Sequence, residues 1–359
     1  MGKMRRFLIL LGLLMLVACK RSPQSHTGDV WLVAWSPDGR LIATGSWDHT
    51  VNLWEAQSGK PFFTLRGYSD VVASLAWSLD SALIAAGDKS GKMILWDAAR
   101  RTPERTLEGE MAAWSPEGKT LATWFYYSRK GDTIFLRDWP RGRQVCQMGL
   151  GYDRPVSSAA WSPDGTKLAY VLRLSRSIAL LDVASCSLIW PGPPSPMLGP
   201  ESSIDVVAWS PDGDILAGGS YDGPVYLWNV QTGGKPITTL RKHTAGIGSI
   251  AWSPDGRLLA SGAYDGSIII WDVQAEQPRL TLLGCPQPKG DPPPPQAPCE
   301  PKTSSEILSG YIDGGTSVAW SPDGKILATA GFGLHPSQEP VEAVKLWDIN
   351  AAKLVTTFK

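Results

Sequence analysis

Histidine and cysteine are scarce in this chain, at four and five among 359 residues. So few potential ligands exclude a metal-rich protein. An excess of one charge is missing too: 34 basic groups face 34 acidic ones, for a formal net charge of zero. Nucleic-acid binders usually carry a basic surplus, so that class is set aside. The apolar run from Phe7 to Ala18 has only 12 residues, short of the ~20 a membrane-spanning helix needs. No Gly-x-Ser-x-Gly elbow, Walker A loop or dinucleotide fingerprint is present, which removes the sequence support for several enzyme classes. With 43% apolar and 19% charged residues, the chain can bury a core and is not a disordered tail. The surplus is tryptophan, with 17 against 9 Tyr and 7 Phe. Tryptophan is large and carries an N–H that wants a partner, so the excess suggests one demand repeated many times.

Residues 1–18 read as an export signal. Lys3, Arg5 and Arg6 precede the apolar run, which ends in Leu16-Val17-Ala18-Cys19. That ending resembles the lipobox of bacterial lipoproteins. The resemblance implies cleavage before Cys19 and acylation of its thiol, with residues 19–25 as a tether. Two or more acyl chains anchor stably where one binds only marginally. The expected location is the bacterial cell envelope, membrane-anchored through Cys19. Removing Lys3, Arg5 and Arg6 leaves 31 basic and 34 acidic groups, a net charge of −3.

The phrase Ala-Trp-Ser-Pro-Asp-Gly recurs, so the period matters first. Its tryptophans are Trp35, Trp77, Trp114, Trp161, Trp209, Trp252 and Trp320. A second motif, Leu/Ile-Trp-Asp or a close variant, follows at Trp54, Trp96, Trp228, Trp271 and Trp347. Repeats 3 and 4 replace that second tryptophan with Arg137 and Leu181. Each unit holds four short apolar runs separated by turn residues. In the first unit these are Val30–Trp35, Leu41–Gly45, Val51–Trp54 and Pro61–Leu65. Ser-Pro-Asp-Gly is a type I turn signal. Four strands per unit with a Trp-Asp signature is a β-propeller pattern. From about residue 26 to 359 the chain resembles the WD-repeat family. The fold expected is all-β, a seven-bladed propeller of four-stranded antiparallel blades. The blades span roughly 26–67, 68–109, 110–151, 152–198, 199–242, 243–284 and 307–359, with 285–306 a Pro-rich insertion. The last unit has its own outer strand, so closure by packing blade 1 on blade 7 without strand exchange is expected.

The resemblance also implies a structural hydrogen-bonded chain within blades. It runs from His to a turn Asp, then to a strand hydroxyl and the third-strand Trp. The matching residues are His26, Asp48 and Trp54, and His243, Asp265 and Trp271. Blade 5 keeps Asp222 and Trp228 without the His. Tyr68, Tyr152 and Tyr311 stand at or near that position elsewhere. His49 and His335, the two remaining histidines, read as solvated loop residues.

Strand order puts the b–c and d–a connections at one end of every blade, and the insertions fall in that set. They include Trp124 to Gly131, Gly331 to Ala343, the prolines from Pro191 to Pro200, and Cys285 to Glu306. Cys285 and Cys299 read as a disulfide closing that last loop. Cys146 and Cys186 read as buried thiols, with a second bridge as the alternative. In the WD family, partner contacts cluster on this same face. Carried over by position, they are Trp47, Tyr221 and Tyr264 before the turn Asp. Asp29, Trp31 and Asp205 lie at the start of the inner strand, with Trp124 and Tyr126 in an aromatic loop beside Phe125 and Tyr127.

The leading reading is a non-enzymatic, lipid-anchored WD-repeat scaffold. It would need no cofactor or metal, bind one or more proteins through this rim, avoid nucleic acid and remain monomeric. One alternative is a propeller enzyme or small-ligand binder at the channel mouth. Another is a periplasmic propeller like the Tol-associated one, whose repeats share Trp-Ser-Pro-Asp-Gly. The lipobox reading has a direct test. Globomycin is expected to leave the precursor uncut, and Cys19→Ser to leave it both uncut and unlabelled by radioactive palmitate. Unchanged processing would exclude lipidation.

Overall fold

The computed structural model describes residues 25–126, 133–149, 155–172, 177–189, 197–198, 203–283, 307–309, 317–331 and 344–358. All regular structure among them is β. Seven sheets follow the chain, each with four antiparallel strands a to d in sequence order, and a short fifth strand joins those of blades 4 and 6. In blade 1 these are Val30–Trp35, Leu41–Ser46, Val51–Glu55 and Pro61–Leu65. The other inner strands are Val72–Trp77, Met111–Trp114, Val156–Trp161, Ile204–Trp209, Ile247–Trp252 and Ser317–Trp320. Each inner strand packs on those of its two neighbours, and Val30–Trp35 meets Ser317–Trp320 to close the ring. The protein is an all-β seven-bladed propeller. Blade 7 draws its four strands from its own segment, ending with Lys353–Phe358.

Two layers of tryptophan join the blades. The inner-strand indoles reach backwards: Trp77, Trp161, Trp209, Trp252 and Trp320 donate to the carbonyls of Ala34, Ala113, Ala160, Ala208 and Ala251. In each case the acceptor lies in the preceding blade, one residue before that blade's own inner Trp. Such a bond contributes roughly 0.5–1.5 kcal/mol net, and much more is lost if a buried N–H goes unmet. The third-strand indoles also face the preceding blade. Trp54 stacks on Phe358, with ring centroids 5.5 Å apart and planes at 20°. Trp228 packs among Ala169, Val171 and Ile178 of blade 4.

The Ser-Pro-Asp-Gly turns form a third ring. Ser36 Oγ donates to Asp38 Oδ1 at 2.6 Å and accepts from Leu41 N at 2.9 Å, and Asp38 Oδ1 accepts from Arg40 N. The glycine takes positive φ (71° at Gly39), which costs an L-residue its Cβ clearance. Gly39, Gly165, Gly213, Gly256 and Gly324 each lie against the proline of the preceding blade's turn. Hydrogen bonds from Ser162 and then the Thr166 amide hold the Asp164 carboxyl down to about 2.

Blades 3 and 4 depart from the pattern, and there the reading of Cys146 and Cys186 as thiols is corrected. The two form a disulfide, with Cα atoms 5.6 Å apart across 40 residues of sequence. Cys146 is buried on the outer strand of blade 3 (Gln144–Gly149), and Cys186 sits in the c–d turn of blade 4 with φ of 52°. The equivalent turn position also has positive φ in the other blades, at Gly59, Arg101, Gly142, Gly233, Glu276 and Ala352. Blade stacking brings together cysteines that the linear sequence separates. The bridge lies beside Leu181, which replaces the third-strand tryptophan at this interface. A covalent tie stands where the largest wedge residue is missing. Cys285, Cys299 and most of the Pro-rich insertion lie outside the described residues, although Ile307–Ser309 pairs in parallel with Gln277–Leu283 of blade 6.

Closing a loop of this length corresponds to about 4 kcal/mol in the chain-entropy treatment. The double variant Cys146→Ala/Cys186→Ala is expected to lose up to that amount in urea denaturation, and reductant should lower the wild-type midpoint. A wild-type midpoint indifferent to reductant would contradict the bridge's role.

Candidate partner-binding face

The b–c turns are built around carboxylates. In blade 1, His26 Nδ1 lies 3.0 Å from Asp48 Oδ2, and His26 Nε2 lies 2.7 Å from Thr44 Oγ1. Trp54 Nε1 donates to that same hydroxyl at 2.9 Å. Asp48 also accepts from the amides of Thr27 and Thr50. Blade 6 repeats the set: His243 Nδ1 is 3.3 Å from Asp265 Oδ2, His243 Nε2 is 2.7 Å from Ser261 Oγ, and Trp271 Nε1 donates to Ser261 Oγ at 2.8 Å. Burial raises the pKa of Asp48 and Asp265, but the hydrogen bonds from His26, Thr50 and the Thr27 amide to the first, and from His243, Ser267 and the Thr244 amide to the second, together outweigh it. Both carboxyls stay well below the ordinary range. The two histidines are spoken for by these chains.

Blade 2 reaches the same result with different residues. Trp96 Nε1 donates to the buried Tyr68 hydroxyl at 2.9 Å. Asp88 takes the role of Asp48, accepting from Ser69 N at 2.7 Å and Ser90 N at 3.0 Å. Tyr68 is legible as a substitute for His, whereas Asp88 was missed because it stands two residues earlier in the turn. In blade 5, Gly218 occupies the hydroxyl position, and Trp228 Nε1 is buried with no hydrogen-bond partner among the described residues.

The carboxylate anchors display their neighbours. Trp47, Tyr221 and Tyr264 immediately precede Asp48, Asp222 and Asp265. They are 41%, 69% and 61% exposed. Their backbones are pinned: Trp47 N donates to Asp29 O at 2.9 Å, Tyr221 N to Ser203 O at 3.0 Å, and Tyr264 N to Gly246 O at 2.9 Å. Strand register makes Lys89 and Tyr126 the equivalents in blades 2 and 3. Lys89 N donates to Val71 O at 3.0 Å, whereas Tyr126 N donates to the Glu110 carboxylate at 2.8 Å. Lys89 escaped the sequence reading, although counting five residues on from the second apolar residue of strand b finds it (Ile42 to Trp47, Ile84 to Lys89). A bulge in the inner strand leaves Trp31, between Val30 and Leu32, and Asp205, between Ile204 and Val206, outside the regular ladder. Bulges commonly re-aim a side chain in this way.

Trp124 does not belong to this face, which corrects its assignment. It ends strand b of blade 3 (Thr120–Trp124), opposite Met111 and Ile134, and is 3% exposed against Trp161 and Leu168 of blade 4. Phe125 is equally buried and meets Phe135 edge-on. The strand simply runs further than the aromatic run suggests, so the loop starts at Tyr126, which is half-buried. Tyr127, His335 and the insertion residues from Phe332 to Ala343 fall outside the described residues. Although most of Tyr264 is exposed, local desolvation of its hydroxyl raises the pKa, and the charge of Asp205 raises it further. Burial also raises Asp29.

A closed ring of seven tryptophan-wedged blades, with carboxylate-anchored turns on one face, defines a repeat propeller. The family model described as WD domain, G-beta repeat (WD40) matches residues 17–55, 59–97, 194–229, 234–272 and 303–333, just over half the chain. The chain belongs to the WD40-repeat family. Propellers of this family are generally non-catalytic scaffolds that bind protein partners. The chain is 39% identical over 53 residues to the peroxisomal targeting signal 2 receptor of Homo sapiens, covering 14% of this chain and 16% of that protein. It is 25% identical over 214 residues to WD repeat and HMG-box DNA-binding protein 1 of Xenopus laevis, covering 60% and 15%. An uncharacterized WD repeat-containing protein of Nostoc is 47% identical over 47 residues, covering 13% and 3%. The matched stretches span less than a fifth of each of these relatives.

Two tryptophans seven residues apart should separate display from core. Trp54→Ala is expected to cost about 3–5 kcal/mol in urea denaturation, as for other buried aromatics, and Trp47→Ala under about 1 kcal/mol. Comparable losses would place Trp47 in the core.

Proposed function

We propose that this protein is a non-catalytic scaffold, tethered to a bacterial envelope membrane through lipidated Cys19, that binds a protein partner on the face bearing the b–c turns. The observation that carries this reading is the repeated pairing of an exposed ring with a hydrogen-bonded turn carboxylate: Trp47 with Asp48, Tyr221 with Asp222, and Tyr264 with Asp265. Large rings held on a rigid frame lose little conformational freedom on binding, and Trp and Tyr are favoured interface anchors. Asp29, Trp31, Asp205 and Tyr126 complete the proposed contact set, and Trp124 is left out. The Ala-Trp-Ser-Pro-Asp-Gly turns lie at the opposite end of the blades and serve the ring itself.

The reading is tested by in-cell cross-linking and capture of the full chain. Partners retained by the wild type should be lost, by at least tenfold in recovery, from Trp47→Ala/Tyr221→Ala/Tyr264→Ala with its fold intact by circular dichroism. Undiminished recovery of every partner would sink this assignment.

A further inference from the structure

One sector of the face already holds a cation. The Trp31 and Trp47 rings meet at 6.3 Å with planes at 63°, forming a two-sided notch. Lys89 Nζ sits over both, 4.8 Å from the Trp31 centroid and 5.0 Å from that of Trp47. The notch is fixed by its frame rather than by the lysine. Trp31 Nε1 donates to Val72 O at 2.7 Å, and Trp47 N donates to Asp29 O. Lys89, by contrast, reaches in on a flexible four-carbon stem. Asp70 and Glu110 act on Lys89 through their charge, partly offsetting the burial that lowers its pKa. Glu110 is fully buried, and Asp29 lies two residues before Trp31.

We infer that the Trp31–Trp47 notch is a cation-recognition site for an arginine or lysine side chain of a protein partner, and that Lys89 occupies it in cis until the partner displaces it. The charge balance favours this occupant. With Lys89 swung out, two indole faces would be left to a cation, at a spot on which the charges of Asp70 and Glu110 act. A cation over indole gains roughly 0.5–1 kcal/mol when exposed and about 2 or more when desolvated. A guanidinium is planar and more weakly hydrated than an ammonium, so arginine should replace Lys89 at smaller desolvation cost. Displacement also frees Lys89 to meet an acidic group elsewhere on the same partner. The inference rests on the proposed partner face and adds the chemistry of one contact.

The test uses the full chain and two probes, Nα-acetylarginine amide and the tetramethylammonium ion, read by tryptophan fluorescence and calorimetry. Lys89→Ala, and Lys89→Met to preserve the apolar stem, are expected to bind both probes at least tenfold more tightly than wild type. Adding Trp47→Ala to either variant should remove that gain. No saturable binding by the Lys89 variants, or binding that survives Trp47→Ala, would overturn the inference. The partner reading is judged separately by capture. If the probes fail while capture still depends on Trp47, Tyr221 and Tyr264, only the cation site falls. If the probes bind but do not compete with captured partners, the notch is not a partner contact and the inference falls as well.

Discussion

The buried indole N–H of the third strand is the constraint on which much of this molecule turns. A tryptophan there fills the wedge between two blades but brings a donor into a place without water, where an unmet polar group is costly. Thr44, Ser261 and Thr329 supply the acceptor in blades 1, 6 and 7, and Tyr68 does so in blade 2. In blade 3 the tryptophan gives way to Arg137, whose guanidinium donates to Thr123, the equivalent hydroxyl. Blade 4 abandons the donor altogether with Leu181, with Tyr170 buried at the hydroxyl position. Among the described residues, only blade 5 leaves this indole without a partner, and there Gly218 lets the ring approach too closely for any side chain.

This core arrangement positions the outward face. The hydroxyl that meets the indole also meets the histidine, and the histidine meets the turn carboxylate. The exposed ring immediately precedes that carboxylate in the chain. The path from wedge to display is thus a few hydrogen bonds long, and the ring's backbone is further held by the inner strand. A ring mounted in this way is tied by hydrogen bonds to the propeller core, even though it sits in a turn.

The architecture was legible because its period is carried by the bulkiest side chain in the alphabet, and tryptophan spacing survives even where one motif is lost. The pairs of His26 with Asp48 and His243 with Asp265 were implied by the resemblance to the WD-repeat pattern, whose positions both pairs match at a separation of 22 residues. Trp124 could not, because Trp124-Phe125-Tyr126-Tyr127 offers no break to mark where the strand stops. The link between Cys146 and Cys186 was hidden for another reason. It depends on which blade edges touch, and its clue was the missing tryptophan between them. Lys89 was passed over because the position was found through the Asp that follows it, and blade 2 has Ser90 there; here a cation is held by two aromatic residues from blade 1.

The stacking of Trp54 on Phe358 has a consequence for biosynthesis. Blade 1 leaves the ribosome first, yet part of its core is supplied by Ala328, Val344, Leu346 and Phe358 of the last blade. Until those residues are made, the flank of blade 1 that will bear Trp54 stays wet, whatever its own four strands have done. The first blade is therefore among the last to finish. A nascent chain stalled short of its final strand would hold an unclosed ring with an apolar flank at each end, a form that invites chaperones or aggregation.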